Sequence, residues 1–288
     1  MDLSVQLFDY DAWASREWQR FLDACPTSSE GEPVFQHISE WLANWQDRVP
    51  VEPKPSEGLY EFWKRTAQET DLGATLQWKR KRTGQHLRNT VGDVLNHVVT
   101  HGTYHRGHLR GLAELHGWGE FPETDFIRYA AKPETAMLSG GHSAHLDLFA
   151  HDAWGWRQWQ RVEAEPFGDL AAKREALAKH HAGCCRGWGG GTADVLGISD
   201  PEEPGENAYD IIETWLGWWN DTVSEHGPEK TLEYPNRSGT MTISLGQIAV
   251  HVANHGSYHR GQLRALAEAA GMPDWPDTDF IFFSAKKV

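Results

Sequence analysis

The sequence says one thing twice. The segment HVVTHGTYHRGHLRGLAELHG, starting at His97, returns as HVANHGSYHRGQLRALAEAAG, starting at His251, at a constant offset of 154 residues. The match runs on into FPETDFIRY and WPDTDFIFF, which sets Asp125 against Asp279 and Phe126 against Phe280. The start of each half matches as well: LFDYDAWASREWQR from Leu7 corresponds to LFAHDAWGWRQWQR from Leu148. A repeat this long means that one supersecondary unit is built twice. The expected domains are 1–138 and 139–288, divided in PETAMLSGG from Pro133, where Pro, Ser and Gly gather. At 288 residues, each copy is large enough to bury a core of its own.

Each copy reads as four helices. In the first, residues 3–24 carry Leu3, Leu7, Trp13, Trp18, Phe21 and Leu22 at helical intervals, and 34–45 carry Val34, Phe35, Ile38, Trp41, Leu42 and Trp45 on one face. A third helix is expected over 59–69. The fourth bears the histidines and starts after Thr90 or, in the second copy, Ser244. Each of these has a partner three residues on, Asp93 or Gln247, as a capping box requires. The counterpart helices of the second copy are expected over 144–163, 170–188 and 209–224. Two extended stretches, 231–234 and 240–243, flank the turn-rich PNRSG and predict a short β-hairpin before the fourth helix, with a weaker version in the first copy. The fold class that follows is all-α, two tandem four-helix bundles.

His97, His101 and His105, like His251, His255 and His259, are spaced four apart on one helix face. Neighbours at that spacing lie close enough for two imidazoles to share an ion. The outer pair spans roughly 12 Å of helix axis, so one ion cannot take all three. Each helix therefore offers either its first or its last pair, and a third ligand must come from elsewhere. His37 in VFQHISEWLANW lies between Val34 and Trp41 and points inward. In the second copy, LAKHHAGCCRGW aligns Trp41 with Cys184 and Trp45 with Trp188, which puts His180 under His37, with His181 as the alternative. The glycine run 189–191 makes this stretch less regular than its partner. An isolated histidine pair is more often the edge of an amphipathic face; the duplicated triplet with an inward third histidine favours metal.

The shared Arg-Gly pairs, Arg106-Gly107 and Arg260-Gly261, place a glycine in each fourth helix at a cost of about 1 kcal/mol against alanine. Close approach of another backbone explains it, as a packing feature. His108 and Gln262, three residues past the last histidine, can orient a ligand or touch a substrate. Asp125 and Asp279 are expected to cap or brace the bundle. No catalytic acid or base stands out.

A formal charge of −14 argues against nucleic acid and anionic membrane as partners and leaves a small molecule. No apolar run reaches the ~20 residues a bilayer demands. Met1-Asp2-Leu3-Ser4 lacks the basic and apolar regions of a signal peptide, so the expected location is cytoplasmic. Cys25, Cys184 and Cys185 are an odd set and read as reduced thiols.

The NHGSYHRGQL segment from Asn254, the LFDYDAW first helix, the FQHISEW second helix and the terminal P-x-T-D-F-I together resemble the DinB family of four-helix metalloproteins, over essentially the whole chain, twice. The resemblance implies a site of three histidines, one from the second helix and two from the fourth. That selects His37, His101 and His105 in the first copy and His180 (or His181), His255 and His259 in the second, leaving His97 and His251 outside. It further implies a divalent metal, zinc with nickel as the alternative, and an intramolecular pseudo-dimer of the two halves related by a pseudo-twofold. Some members are thiol-dependent transferases, which makes a low-molecular-weight thiol the expected cosubstrate. The metal-dependent hydrolase and the non-catalytic metal-binding stress protein are the rivals. His108 departs from the family's glutamine, and His151 stands where the first copy has Tyr10.

Overall fold

A computed structural model describes residues 3–25, 27–132, 144–236 and 239–287. The expected boundary at 133–141 and the tip of the PNRSG turn lie outside these. The first half contains α1 (Leu3–Ala24), α2 (Glu32–Gln46), α3 (Leu59–Glu69), strands β1 (Thr75–Lys79) and β2 (His86–Thr90), α4 (Val91–His116) and a short α5 (Phe126–Ala130). The second contains α6 (Ala144–Gln160), a 3-10 segment (Glu165–Leu170), α7 (Ala171–Leu196), α8 (Ala208–His226), β3 (Thr231–Asn236), β4 (Gly239–Ser244), α9 (Leu245–Ala269), α10 (Phe280–Ser284) and a two-residue strand β5 (Lys286–Lys287). The described residues are thus dominated by helix, with a small hairpin ahead of each histidine helix.

Local chemistry sets the starts of α4 and α9. The Asp93 amide donates to the Thr90 side chain at 3.1 Å and the Thr90 amide donates to Asp93 Oδ2 at 2.7 Å. Ser244 and Gln247 repeat the arrangement at 3.2 and 3.0 Å. Both capping boxes satisfy amides that the first helical turn leaves orphaned. In α2 the stripe Phe35, Ile38, Leu42 and Trp45 is buried. Trp18, Trp63, Trp159 and Trp219, all fully buried, fill the bundle interiors.

α7 departs from expectation by running on through Gly189, Gly190 and Gly191 to Leu196. The glycines do not break it because one of them is needed for packing: a Cβ at Gly189 would lie 2.1 Å from the Trp215 ring of α8. The short helices α5 and α10, which follow each TDF segment, carry too few residues to show a period.

The two histidine helices, α4 and α9, pack against each other along their length. Gly107 and Gly261 sit at the crossing, where a Cβ on Gly107 would fall 1.8 Å from the Tyr258 carbonyl oxygen and one on Gly261 1.9 Å from that of Tyr104. The close backbone approach read from the Arg-Gly pairs is therefore between the halves. Further exchanges accompany it. α10 packs on α4 and α5 on α9, while Lys286 and Lys287 add a strand to the first half's hairpin, pairing with Arg88 and Leu87. Asn89 Nδ2 fixes this tail by donating to the Ile281 carbonyl at 3.2 Å and to Ser284 Oγ at 2.8 Å.

Buried ion pairs hold each histidine helix to the first helix of its own half. Arg106 pairs with Asp11 at 2.5 Å, with both side chains excluded from solvent, and Arg260 pairs with Asp152 in the same way. Tyr10 and His151, which the repeat aligns, do the same job with different atoms: the Tyr10 hydroxyl donates to the Thr124 carbonyl at 2.8 Å, and His151 Nε2 donates to the Thr278 carbonyl at 2.8 Å.

Candidate metal centres

In the first half, α2 supplies His37 and α4 supplies His101 and His105, one turn apart. One nitrogen from each lies within 4.8 Å of the other two. His101 Nε2 and His105 Nδ1 are buried with no hydrogen-bond partner. Three imidazoles facing one another, two of them with an orphaned nitrogen, are a poor arrangement in the absence of a cation and a good one around it.

In the second half, His180 from α7 meets His255 and His259 from α9. His255 Nε2 is 3.2 Å from His180 Nε2 and 3.0 Å from His259 Nε2. Tetrahedral zinc with Zn–N bonds of about 2.0–2.1 Å would hold its nitrogens about 3.3–3.4 Å apart, so the cluster is already near that size. His181 is turned into the bundle: it is fully buried, its Nε2 lies 2.8 Å from Asp152 Oδ2, and its ring stacks on Trp156. The structure thus brings His180, rather than His181, to the pair on α9.

Burial favours the neutral form that metal ligation requires at four of the histidines, whereas at His255 burial works the same way but Cys184 and Asp125 outweigh it and raise it to about 10. Burial pushes His37 down to about 4, and His105 and His259 well below the ordinary histidine range; nearby imidazoles add to the effect. His180 is lowered for the same reasons.

His101 and His255 are each oriented by a carboxylate from the opposite half. His101 Nδ1 donates to Asp279 Oδ1 at 3.1 Å, and His255 Nδ1 donates to Asp125 Oδ1 at 3.3 Å. Burial works to raise both carboxyls, but the histidine partners outweigh it and hold them below the usual carboxylate range. Of the expectation that Asp125 and Asp279 cap or brace the bundle, the capping is corrected here. Neither side chain makes a cap hydrogen bond; each fixes a histidine ring so that Nε2 faces the cluster, as carboxylates behind metal-bound histidines do.

The remaining residues singled out fall around these clusters. Gln262 Oε1 accepts from His259 Nδ1 at 2.5 Å, and its amide donates to Glu114 at 3.3 Å. His108, its counterpart, points to Glu268 at 2.7 Å instead. His97 accepts from Trp41 Nε1 at 2.6 Å, and His251 lies beside Trp188 with ring centroids 5.5 Å apart.

The two surroundings differ. His37, His101 and His105 open on a cavity of about 460 Å³ walled by Trp41, Tyr104, Arg264 and Trp275. His180, His255 and His259 open on one of about 180 Å³ beside Arg110 and Arg128. A cavity of about 520 Å³ next to Trp13 and Lys64 has none of the histidines in its wall. Among the described residues, no helix is long and apolar enough to cross a membrane.

The DinB family model matches residues 202–285, which span α8, the second hairpin, α9 and α10. Protein DinB of Bacillus subtilis (strain 168) is 25% identical over 169 residues, taking in 46% of this chain and 97% of the relative. No solved structure gives a match.

Proposed function

We propose that this chain, a member of the DinB family through the match at residues 202–285, is a metal-dependent enzyme that transfers the sulfur of a low-molecular-weight thiol to a small electrophile. The carrying observation is the cluster of His37, His101 and His105 at the wall of the 460 Å³ cavity. Three imidazole ligands suit a catalytic rather than a structural ion because they leave a coordination position open. When bound, zinc or nickel there supplies Lewis acidity that lowers the pKa of a coordinated thiol.

The protein residues do the rest. Asp279 fixes the His101 ring, Trp41 stacks on it with centroids 5.0 Å apart, and Trp41, Tyr104 and Trp275 offer apolar walls to a small acceptor. The thiol proton leaves to solvent, the sulfur forms a bond to the electrophilic carbon, and that carbon loses its leaving group. The volume accommodates a ligand of small-molecule size. The smaller cavity beside His180 makes the second cluster the lesser reaction chamber. In this reading the halves form a pseudo-dimer by tandem duplication, supported by the reciprocal contacts of Gly107 with Tyr258 and of Gly261 with Tyr104. The free thiols Cys25, Cys184 and Cys185 suit the reducing cytoplasm.

The test combines metal content with turnover. Two ions per chain are expected, one lost in His101→Ala and the other in His255→Ala. With a panel of thiols and a reactive acceptor, product should require both thiol and metal and vanish in His101→Ala. Metal-dependent product without thiol would replace S-transfer by hydrolysis, and absence of product with both ions bound would favour a non-catalytic metal protein.

A further inference from the structure

The second half contains a donor set that the first half lacks. Cys184 of α7 lies across from His251 and His255 of α9, and one ligand atom from each falls within 4.8 Å of the other two. The thiol is only partly exposed. In the first half the residue aligned with Cys184 is Trp41, whose indole donates to His97 at 2.6 Å and fills the equivalent place. A side chain that blocks the position in one copy is therefore replaced in the other by the strongest zinc-binding side chain available.

We propose that the second half holds a thiolate-containing metal position, Cys184–His251–His255, which takes a thiophilic cation such as Zn²⁺ or Co²⁺ as an alternative to the His180–His255–His259 set. His251 Nδ1 is buried without a partner, which leaves that imidazole uncommitted to the protein on one side. The two sets compete because both need His255, whose Nδ1 is already engaged by Asp125, so a single nitrogen would have to serve both ions. On binding, the thiol proton is released to solvent and the sulfur–metal bond forms; no electron changes hands. This position stands on Cys184 and His251 and does not depend on catalysis at the three-histidine clusters.

Cobalt titration of the full chain tests it, because thiolate coordination gives an intense near-ultraviolet charge-transfer band that imidazole coordination does not. The parent should develop the band, Cys184→Ser should lose it, and Cys25→Ser should keep it. His259→Ala, which dismantles the three-histidine set and leaves the thiolate set intact, should keep or strengthen it. The zinc form should show a sulfur scatterer at about 2.3 Å by X-ray absorption. No band in the cobalt-saturated parent, or an undiminished band in Cys184→Ser, overturns the proposal. If Cys184→Ser does not fold, His259→Ala decides: a retained band upholds the thiolate position, and a lost band rejects it. Loss of turnover in His101→Ala with the band unchanged would show that the two readings stand or fall separately.

Discussion

Asp279 accepts a hydrogen bond from His101 Nδ1 of α4 at 3.1 Å. Asp125 returns the contact to His255 at 3.3 Å. Each histidine cluster is thus completed by the other half of the chain.

Carboxylates behind metal-bound histidines typically contribute about 10–100-fold to metal affinity. Asp279→Asn should therefore weaken the first-half site by about that factor, although the residue lies in the second half of the chain. Competition against a chelator, measured in a His255→Ala background that leaves only the first site, gives the number. An affinity unchanged within twofold would show that Asp279 does not orient His101.

The helix crossing makes a separate prediction. An alanine at Gly107 would place its Cβ 1.8 Å from the Tyr258 carbonyl, and the neighbour is backbone in a helix that cannot retreat without moving α9. Overpacking of this kind costs about 1–3 kcal/mol and sometimes more. Gly107→Ala and Gly261→Ala should both lower stability in urea unfolding by at least that range, while Gly183→Ala, with nothing within 4 Å, should be neutral or stabilising. Equal effects at all three positions would remove the crossing as the reason for the glycines.

Much of this was legible in the sequence because its matching segments align residues whose roles are physical. The spacing of Thr90 and Asp93 gives the start of α4, and Phe35, Ile38, Leu42 and Trp45 give the buried face of α2. The choice of His180 over His181 was legible only through the alignment that puts His180 under His37: adjacent residues on a helix differ by about 100° of rotation, and what turns His181 away is its contact with Trp156 and Asp152, which lie in another helix. The crosswise contacts of Asp125 and Asp279 were hidden. A TDF repeated twice shows that the carboxylate matters, but not that it serves the opposite copy, which is a matter of how α4 and α9 pack. The pairing of Arg106 with Asp11 and of Arg260 with Asp152 has a signal in the sequence, since all four residues lie in matched motifs.

His151 carries a pH dependence whose sign is fixed by burial. Desolvation lowers it to about 3 in the folded chain, against an ordinary value of about 6.5 when unfolded. Below 6.5 the unfolded chain binds a proton that the folded chain refuses, so stability falls as pH drops from about 6.5 toward 3. His151→Tyr, which mimics Tyr10 and its bond to a carbonyl, should remove this loss and gain about 2 kcal/mol relative to the parent at pH 5 compared with pH 7.5. Urea unfolding at the two pH values checks it. A difference between parent and variant that does not change with pH would mean that His151 is not held neutral.

The last prediction separates the two buried ion pairs. Of the charged partners among the described residues, Asp11 meets Arg106 alone at hydrogen-bonding distance, whereas Asp152 contacts both Arg260 and His181, with His181 Nε2 2.8 Å from its second oxygen. Removing one charge of a buried pair strands the other at a cost of about 3–5 kcal/mol. Asp11→Asn should fall in that range. Asp152→Asn should cost at least as much and should also loosen α7 through His181, the neighbour of His180. Metal binding at the second-half cluster is therefore expected to weaken in Asp152→Asn, while the first-half site in Asp11→Asn keeps its affinity, because His37 has no such link to Asp11. Urea unfolding together with chelator competition on both variants reads the two effects. Equal loss of metal affinity in both would mean that the ion pairs act on the histidine helices as a whole rather than through His181.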